Sequence, residues 1–193
     1  MTQTNTHDER REYFRIRNWI IIQHELIDSL EDESGDSEWL NQSSPRIALL
    51  QELNRLDVDN QAYLGSLSSK QSQLGNYLVN LNKKVDLLTR FMIQSIDQDS
   101  QGLKEVDISG GGIRFQTHQS YALDQLIKLE VVLVPECVGL VAYGRVVDCK
   151  KSEQSGLHEV ALIFVKLRET DRDAIIKHVF TLQSKQLRDH TET

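Results

Sequence analysis

The stretch VDISGGGIRF, residues 106–115, decides how the second half of this chain folds. Val106 and Ile108 alternate with Asp107 and Ser109, and beyond three glycines Ile113 and Phe115 flank Arg114. Alternation on both sides of a glycine run is the pattern of two short strands joined by a turn. QLIKLEVVLV (125–134), VGLVAYGRVVDCK (138–150) and HEVALIFVKL (158–167) repeat the strand pattern, punctuated by Pro135, Gly139 and Gly156. Short strands at this spacing predict an antiparallel barrel or sandwich. Upstream, FRIRNWIIIQHELID (14–28) supplies one more strand, rich in β-branched and aromatic residues. Downstream, the segment 169–188 places Ile175, Ile176, Val179 and Phe180 on one helical face, which predicts a helix closing the barrel.

The chain has 193 residues, enough for one domain with an elaboration or for two small domains. Its composition, 39% hydrophobic and 26% charged with only 2 prolines, is that of a soluble globular protein. A formal net charge of -7 removes any general attraction to nucleic acid or anionic lipid, so neither DNA, RNA nor membrane is an expected partner. The first residues lack the apolar core of a signal peptide and no apolar run reaches a spanning length, which predicts a cytoplasmic protein. Cys137 and Cys149 have no metal-type spacing and are expected as thiols on buried strands.

Between the first strand and the glycine hairpin the pattern changes. Seven acidic residues and no basic ones lie between Glu25 and Glu38, which reads as a solvated connector. Ser44 and Pro45 then suit a helix start. From there to residue 96 apolar side chains recur at heptad spacing, interrupted together at Asp57 and Asn60. The expectation is a short helix to about residue 56 and a long one from about 59. A helix of about forty residues spans roughly 60 Å, more than the core of a small domain can cover. Leu64, Leu67, Gln71, Leu74, Leu78, Leu81, Val85, Leu88 and Met92 are the predicted oligomer seam, with Gln71 setting register. Apolar residues beside the seam widen the stripe, which favours a bundle of three or more helices. The predicted organisation is a tail (1–9), a discontinuous barrel with its C-terminal helix (10–34 and 101–188), a helical insertion (37–98) and a second tail (189–193).

Four arginines, Arg10, Arg11, Arg15 and Arg17, crowd into ERREYFRIR, residues 9–17. Alone, such a cluster is compatible with a solvated terminus, and DISGGG with an ordinary hairpin. Together they hold complementary chemistry. Guanidinium forks bind phosphate and the O6/N7 edge of guanine. Asp107 and Ser109, two apart on a strand, share one face, where a carboxylate can accept from guanine's N1 and N2 donors. Gly110, Gly111 and Gly112 permit positive φ and a close ligand approach.

With RxxxR at Arg11 to Arg15 and DxSxxG at Asp107, Ser109 and Gly112, the sequence resembles the PilZ family. The resemblance implies an α+β fold: an antiparallel β-barrel of about six strands, a closing C-terminal helix and, here, a long inserted coiled-coil helix. It implies cyclic di-GMP as ligand. Arg11 and Arg15 would clamp phosphate and guanine with Arg10 assisting, Asp107 and Ser109 would contact the second face, and Gly112 would hold the turn. LNKKVDLL (81–88) is similar to the helix of a tetrameric PilZ subgroup built on parallel helices, so a homotetramer is implied, with a downstream protein as unidentified partner. Arg145, in GRVV, is a further candidate, set against the plainer reading of a barrel-surface charge. The six histidines show no metal-ligand spacing and no GxSxG occurs, so neither enzyme activity, metal nor cofactor is expected. The competing expectation is an oligomeric scaffold whose barrel binds protein but no nucleotide.

Overall fold

Three consecutive isoleucines in strand β1 (Ile16–Ile27) are all buried, and the architecture follows from that fact. Neighbouring side chains on a strand point to opposite faces, so both faces of β1 are covered at this point. In the computed structural model, which describes residues 14–30, 43–68, 73–97, 103–153 and 155–191, Ile20 and Ile22 belong to a barrel interior. Ile21 lies on the outside, beneath a helix.

The remaining elements are α1 (Pro45–Ser68), α2 (Gln73–Asp97), β2 (Leu103–Ser109), β3 (Gly112–Thr117), β4 (Leu126–Leu133), β5 (Val138–Lys151), β6 (His158–Leu167) and α3 (Glu169–Thr191). The strands close into one antiparallel barrel in the order β1-β2-β3-β6-β5-β4. Val106, Ile108, Phe115, Leu129, Val131, Leu140 and Leu162 fill it. On the outer surface, Ile47 and Leu50 of α1 pack on Ile21, Val132, Val141 and Tyr143. Gly139 admits the helix there: a Cβ on it would stand 2.8 Å from the Leu50 Cβ. Where α1 does not reach, strict alternation returns, with Ile16 inside and Arg17 and Trp19 exposed. That uncovered face carries the candidate site.

The insertion is two helices rather than one long helix after a short one. α1 runs unbroken through Asp57, where Arg55 bridges Glu52 (2.7 Å) and Asp59 (3.1 Å) across successive turns. The described helices instead end at Ser68 and begin again at Gln73. α2 then returns alongside α1, and Asn82 donates to the Asp57 carboxylate (3.4 Å), so the polar interruption of the heptads serves the hairpin. Leu50 opens the heptad pattern but is spent on the barrel. On α2, Leu74, Leu81, Val85, Leu88 and Met92 are exposed and Leu78 is half-buried. Leu64 and Leu67 lie on α1 with their side chains outside the described residues, as does Gln71 altogether. The acidic segment 31–42 also lies outside them, whereas Glu25 belongs to β1.

α3 closes one end of the barrel with Ile175 and Val179 and runs on to Thr191. Phe180 does not join that face; it is 57% exposed, and His178 is buried in the helix's contact instead. The His178 ring bridges Glu136 Oε2 (2.9 Å, through Nδ1) and the Asn18 amide (3.0 Å, through Nε2). A neutral ring donating from Nδ1 and accepting at Nε2 satisfies both partners. Burial pushes the Glu136 carboxyl up, but the His178 hydrogen bond and nearby charge carry it below its ordinary value. Cys137, expected on a strand, sits in the turn between β4 and β5 with φ 61°.

At the opposite end His24 bonds through Nδ1 to the Tyr121 hydroxyl (2.8 Å), which donates to Gln119 Oε1. Burial, and next the charge of Lys104, lower the His24 pKa to about 4. The folded protein therefore keeps this ring neutral while the unfolded chain protonates it below about 6.5. Its contribution to stability is present above pH 6.5 and is lost as pH falls toward 4. In His24→Gln, urea midpoints are expected to fall less steeply across pH 6.5 to 4 than in the parent; equal slopes would refute a neutral buried ring.

Candidate functional site

The site begins with backbone register. β1 pairs antiparallel with β2 so that Ile16 faces Ile108 and Arg17 faces Asp107. Arg15, exposed immediately before β1, precedes the Ile16–Ile108 pair that leads into the DISGGG turn. β2 pairs in turn with β3, Asp107 opposite Arg114 and Ser109 opposite Gly112. Asp107 is thus flanked across the sheet by two arginines, and the Arg17 Nε lies 3.7 Å from its Oδ1. Arg10 and Arg11 lie outside the described residues, so of the three motif arginines only Arg15 is described.

Ser109 and Gly112 are used by the turn itself. Ser109 is 2% exposed; its hydroxyl donates to the Gly112 carbonyl (3.3 Å) and accepts from the Gly111 amide (3.3 Å). Gly112 needs no left-handed φ. Its constraint is space: a Cβ there would stand 2.3 Å from the backbone oxygen of Leu162 on β6. The turn is anchored on two further sides, because the Phe164 amide donates to the Gly111 carbonyl (3.0 Å) and the Arg172 guanidinium of α3 donates to the Gly110 carbonyl. The motif therefore presents a fixed edge beside an acceptor, Asp107, that is one-third exposed.

Next to this edge the outer faces of β1, β2, β3 and β6 enclose a groove of about 430 Å3. Arg17, Trp19, Asp107, Arg114 and Glu159 line it. Arg114 donates through Nη1 to Glu159 (3.2 Å), while its Nε is buried with no hydrogen-bond partner. Motif spacing did not single out Arg17, Trp19 or Arg114. Alternation was the available signal, since all three stand on outward positions of strands that end at the motif. Arg145 on β5 faces Ile163 on β6, which faces Gly112, so two strand spacings, about 10 Å, separate it from the turn.

An Asp-x-Ser-x-x-Gly turn on a closed six-stranded barrel, with Arg17 of β1 paired to its Asp107, is the fold that the sequence resemblance implied. The model of the PilZ domain matches residues 82–181. The chain belongs to the PilZ domain family. The match leaves out the arginine segment and β1, and pairing with β2 and β4 ties β1 to the PilZ barrel. No curated protein matches the chain. Among solved structures it is similar to a protein of Xanthomonas campestris described as a new tetrameric PilZ domain self-assembled via an unusual helical bundle. Identity is 17%, the TM-score 0.56, and 92% of each chain is covered. A weaker likeness, at 16% identity and a TM-score of 0.39, is to the Bacillus subtilis inhibitor of motility over 43% of this chain and 42% of that one. The Xanthomonas likeness extends the shared fold across the helical insertion as well as the PilZ barrel.

Gly112→Ala is expected to destabilise the barrel by about 1–3 kcal/mol, because the atom in its way is backbone rather than a movable side chain. Thermal unfolding checks this; an unchanged midpoint would show that the turn has slack.

Proposed function

We propose that the protein is a non-enzymatic cyclic di-GMP receptor that oligomerises through its helical insertion and passes the signal to a protein partner. The observation that supports the reading is the β1–β2 register, which pairs Arg17, two residues after Arg15, with Asp107 although the whole insertion separates them in sequence. In this reading Arg11 and Arg15, assisted by Arg10, clamp phosphate and guanine. Asp107 accepts from the base, and Ser109 and Gly112 keep the edge in shape. The ligand favours the state in which the N-terminal segment lies against the barrel, and that differential affinity is what switches the partner surface.

Two features support assembly. α2 exposes Leu74, Leu81, Val85, Leu88 and Met92 at near-heptad spacing, a stripe that neither the barrel nor α1 covers. The Xanthomonas relative, alike over 92% of its length, is described as tetrameric through a helical bundle. A homotetramer of parallel insertions would bury the stripe and hold several barrels at high effective concentration for a partner.

Calorimetric titration of the parent chain with cyclic di-GMP is expected to give saturable heat. Affinity should drop at least tenfold in an Arg11→Ala, Arg15→Ala double variant, in keeping with loss of charged hydrogen bonds. Absence of heat at high micromolar ligand would leave the scaffold reading in its place. Light scattering is expected to report a tetramer for the parent and a smaller species for Leu81→Glu, Leu88→Glu; a monomeric parent would refute assembly through α2.

A further inference from the structure

The groove beside the motif contains a feature that phosphate binding does not require. Trp19 is 55% exposed on the outer face of β1, on the same side of the strand as Arg17. Tryptophan is enriched at contact surfaces because one ring offers both apolar area and a polar handle. Directly across from it on β2 stands Glu105, also exposed. Arg114, 38% exposed along its side chain, lies one strand further and is engaged by Glu159 through a single nitrogen.

These residues form two rows across the sheet. The row next to the turn is Arg17, Asp107 and Arg114, suited to phosphate and to an edge of a base. The row behind it pairs Trp19 with Glu105, an aromatic face beside a carboxylate, with Lys104 next to Glu105 also lining the groove. The ring and the carboxylate suit a planar group with hydrogen-bond donors better than a phosphate. At about 430 Å3 the groove has the size of a small-molecule site rather than of a protein interface.

We propose that this groove is a base subsite: a purine of the bound dinucleotide stacks on Trp19 and presents its imino and amino donors to Glu105, while Arg114 approaches the O6/N7 edge. The inference rests on the receptor reading and adds to it the residues that choose the base. A purine with N1–H and N2–H donors satisfies the Glu105 carboxylate. Adenine sets its N1 acceptor against the same carboxylate, so guanine is selected. Stacking of a base on an aromatic is sequence-tolerant, which leaves the selection to the carboxylate.

The chain has 2 tryptophans, so a Trp39→Phe background isolates the fluorescence of Trp19. In that background cyclic di-GMP is expected to quench the emission. In the parent background Trp19→Ala should weaken calorimetric affinity about ten- to a hundredfold without moving the thermal midpoint. Glu105→Gln should narrow the preference for cyclic di-GMP over cyclic di-AMP, measured by the same titrations. Unchanged affinity in Trp19→Ala together with unquenched emission, while the parent chain still binds, would overturn the base subsite alone. No heat with the parent chain would overturn the receptor reading and the subsite with it.

Discussion

Backbone pairing of β1 with β2 on one side and β4 on the other is the constraint on which the rest of this structure depends. It closes the barrel across an insertion of two helices, and closure leaves no free sheet edge for other chains to extend. The same pairing fixes which side chains of β1 look outward. A one-residue slip would turn Arg17 and Trp19 inward and expose Ile16 and Ile20, so the apolar interior enforces the register that the candidate site requires. Stability and site geometry are in this sense one property, and the turn between β2 and β3 inherits its placement from it.

The division of the outer surface follows from where α1 docks. Its Ile47 and Leu50 cover one side of the barrel, which explains apolar runs such as Ile20–Ile22 and Leu140–Tyr143 in strands that would otherwise alternate. The opposite side stays bare, and there the polar alternation survives as two rows of side chains leading away from the glycine turn. The insertion thus does two things. Its beginning shields one barrel face, and its second helix carries an exposed apolar stripe away from the barrel core.

The ends of the barrel are sealed by polar contacts as well as by packing. His178 ties α3 to β1 and to the β4–β5 turn through Asn18 and Glu136, and the Arg172 guanidinium ties the same helix to the glycine turn. The closing helix and the glycine turn are thus held together by a side-chain contact as well as by packing.

All six strands and the closing helix were legible in the sequence, because alternation of period two and the glycine and proline punctuation are local signals. RxxxR and DxSxxG are legible as patterns of residue types, although Arg11 lies outside the described residues. The helix break was misplaced. Asp57 and Asn60 look like an interruption when only heptads are counted, but Arg55 braces that turn and Asn82 pairs with Asp57 from the returning helix. Phe180 was assigned inward on periodicity alone, whereas the docking angle of α3 gives that place to His178. The sequence by itself determined which residues can pair, turn and carry charge, because those properties are local. Only the tertiary structure decided which outward side chains share a face, because that depends on register between strands far apart in the chain. Arg17, Asp107 and Arg114 became neighbours that way, with Trp19 and Glu105 in the row behind them.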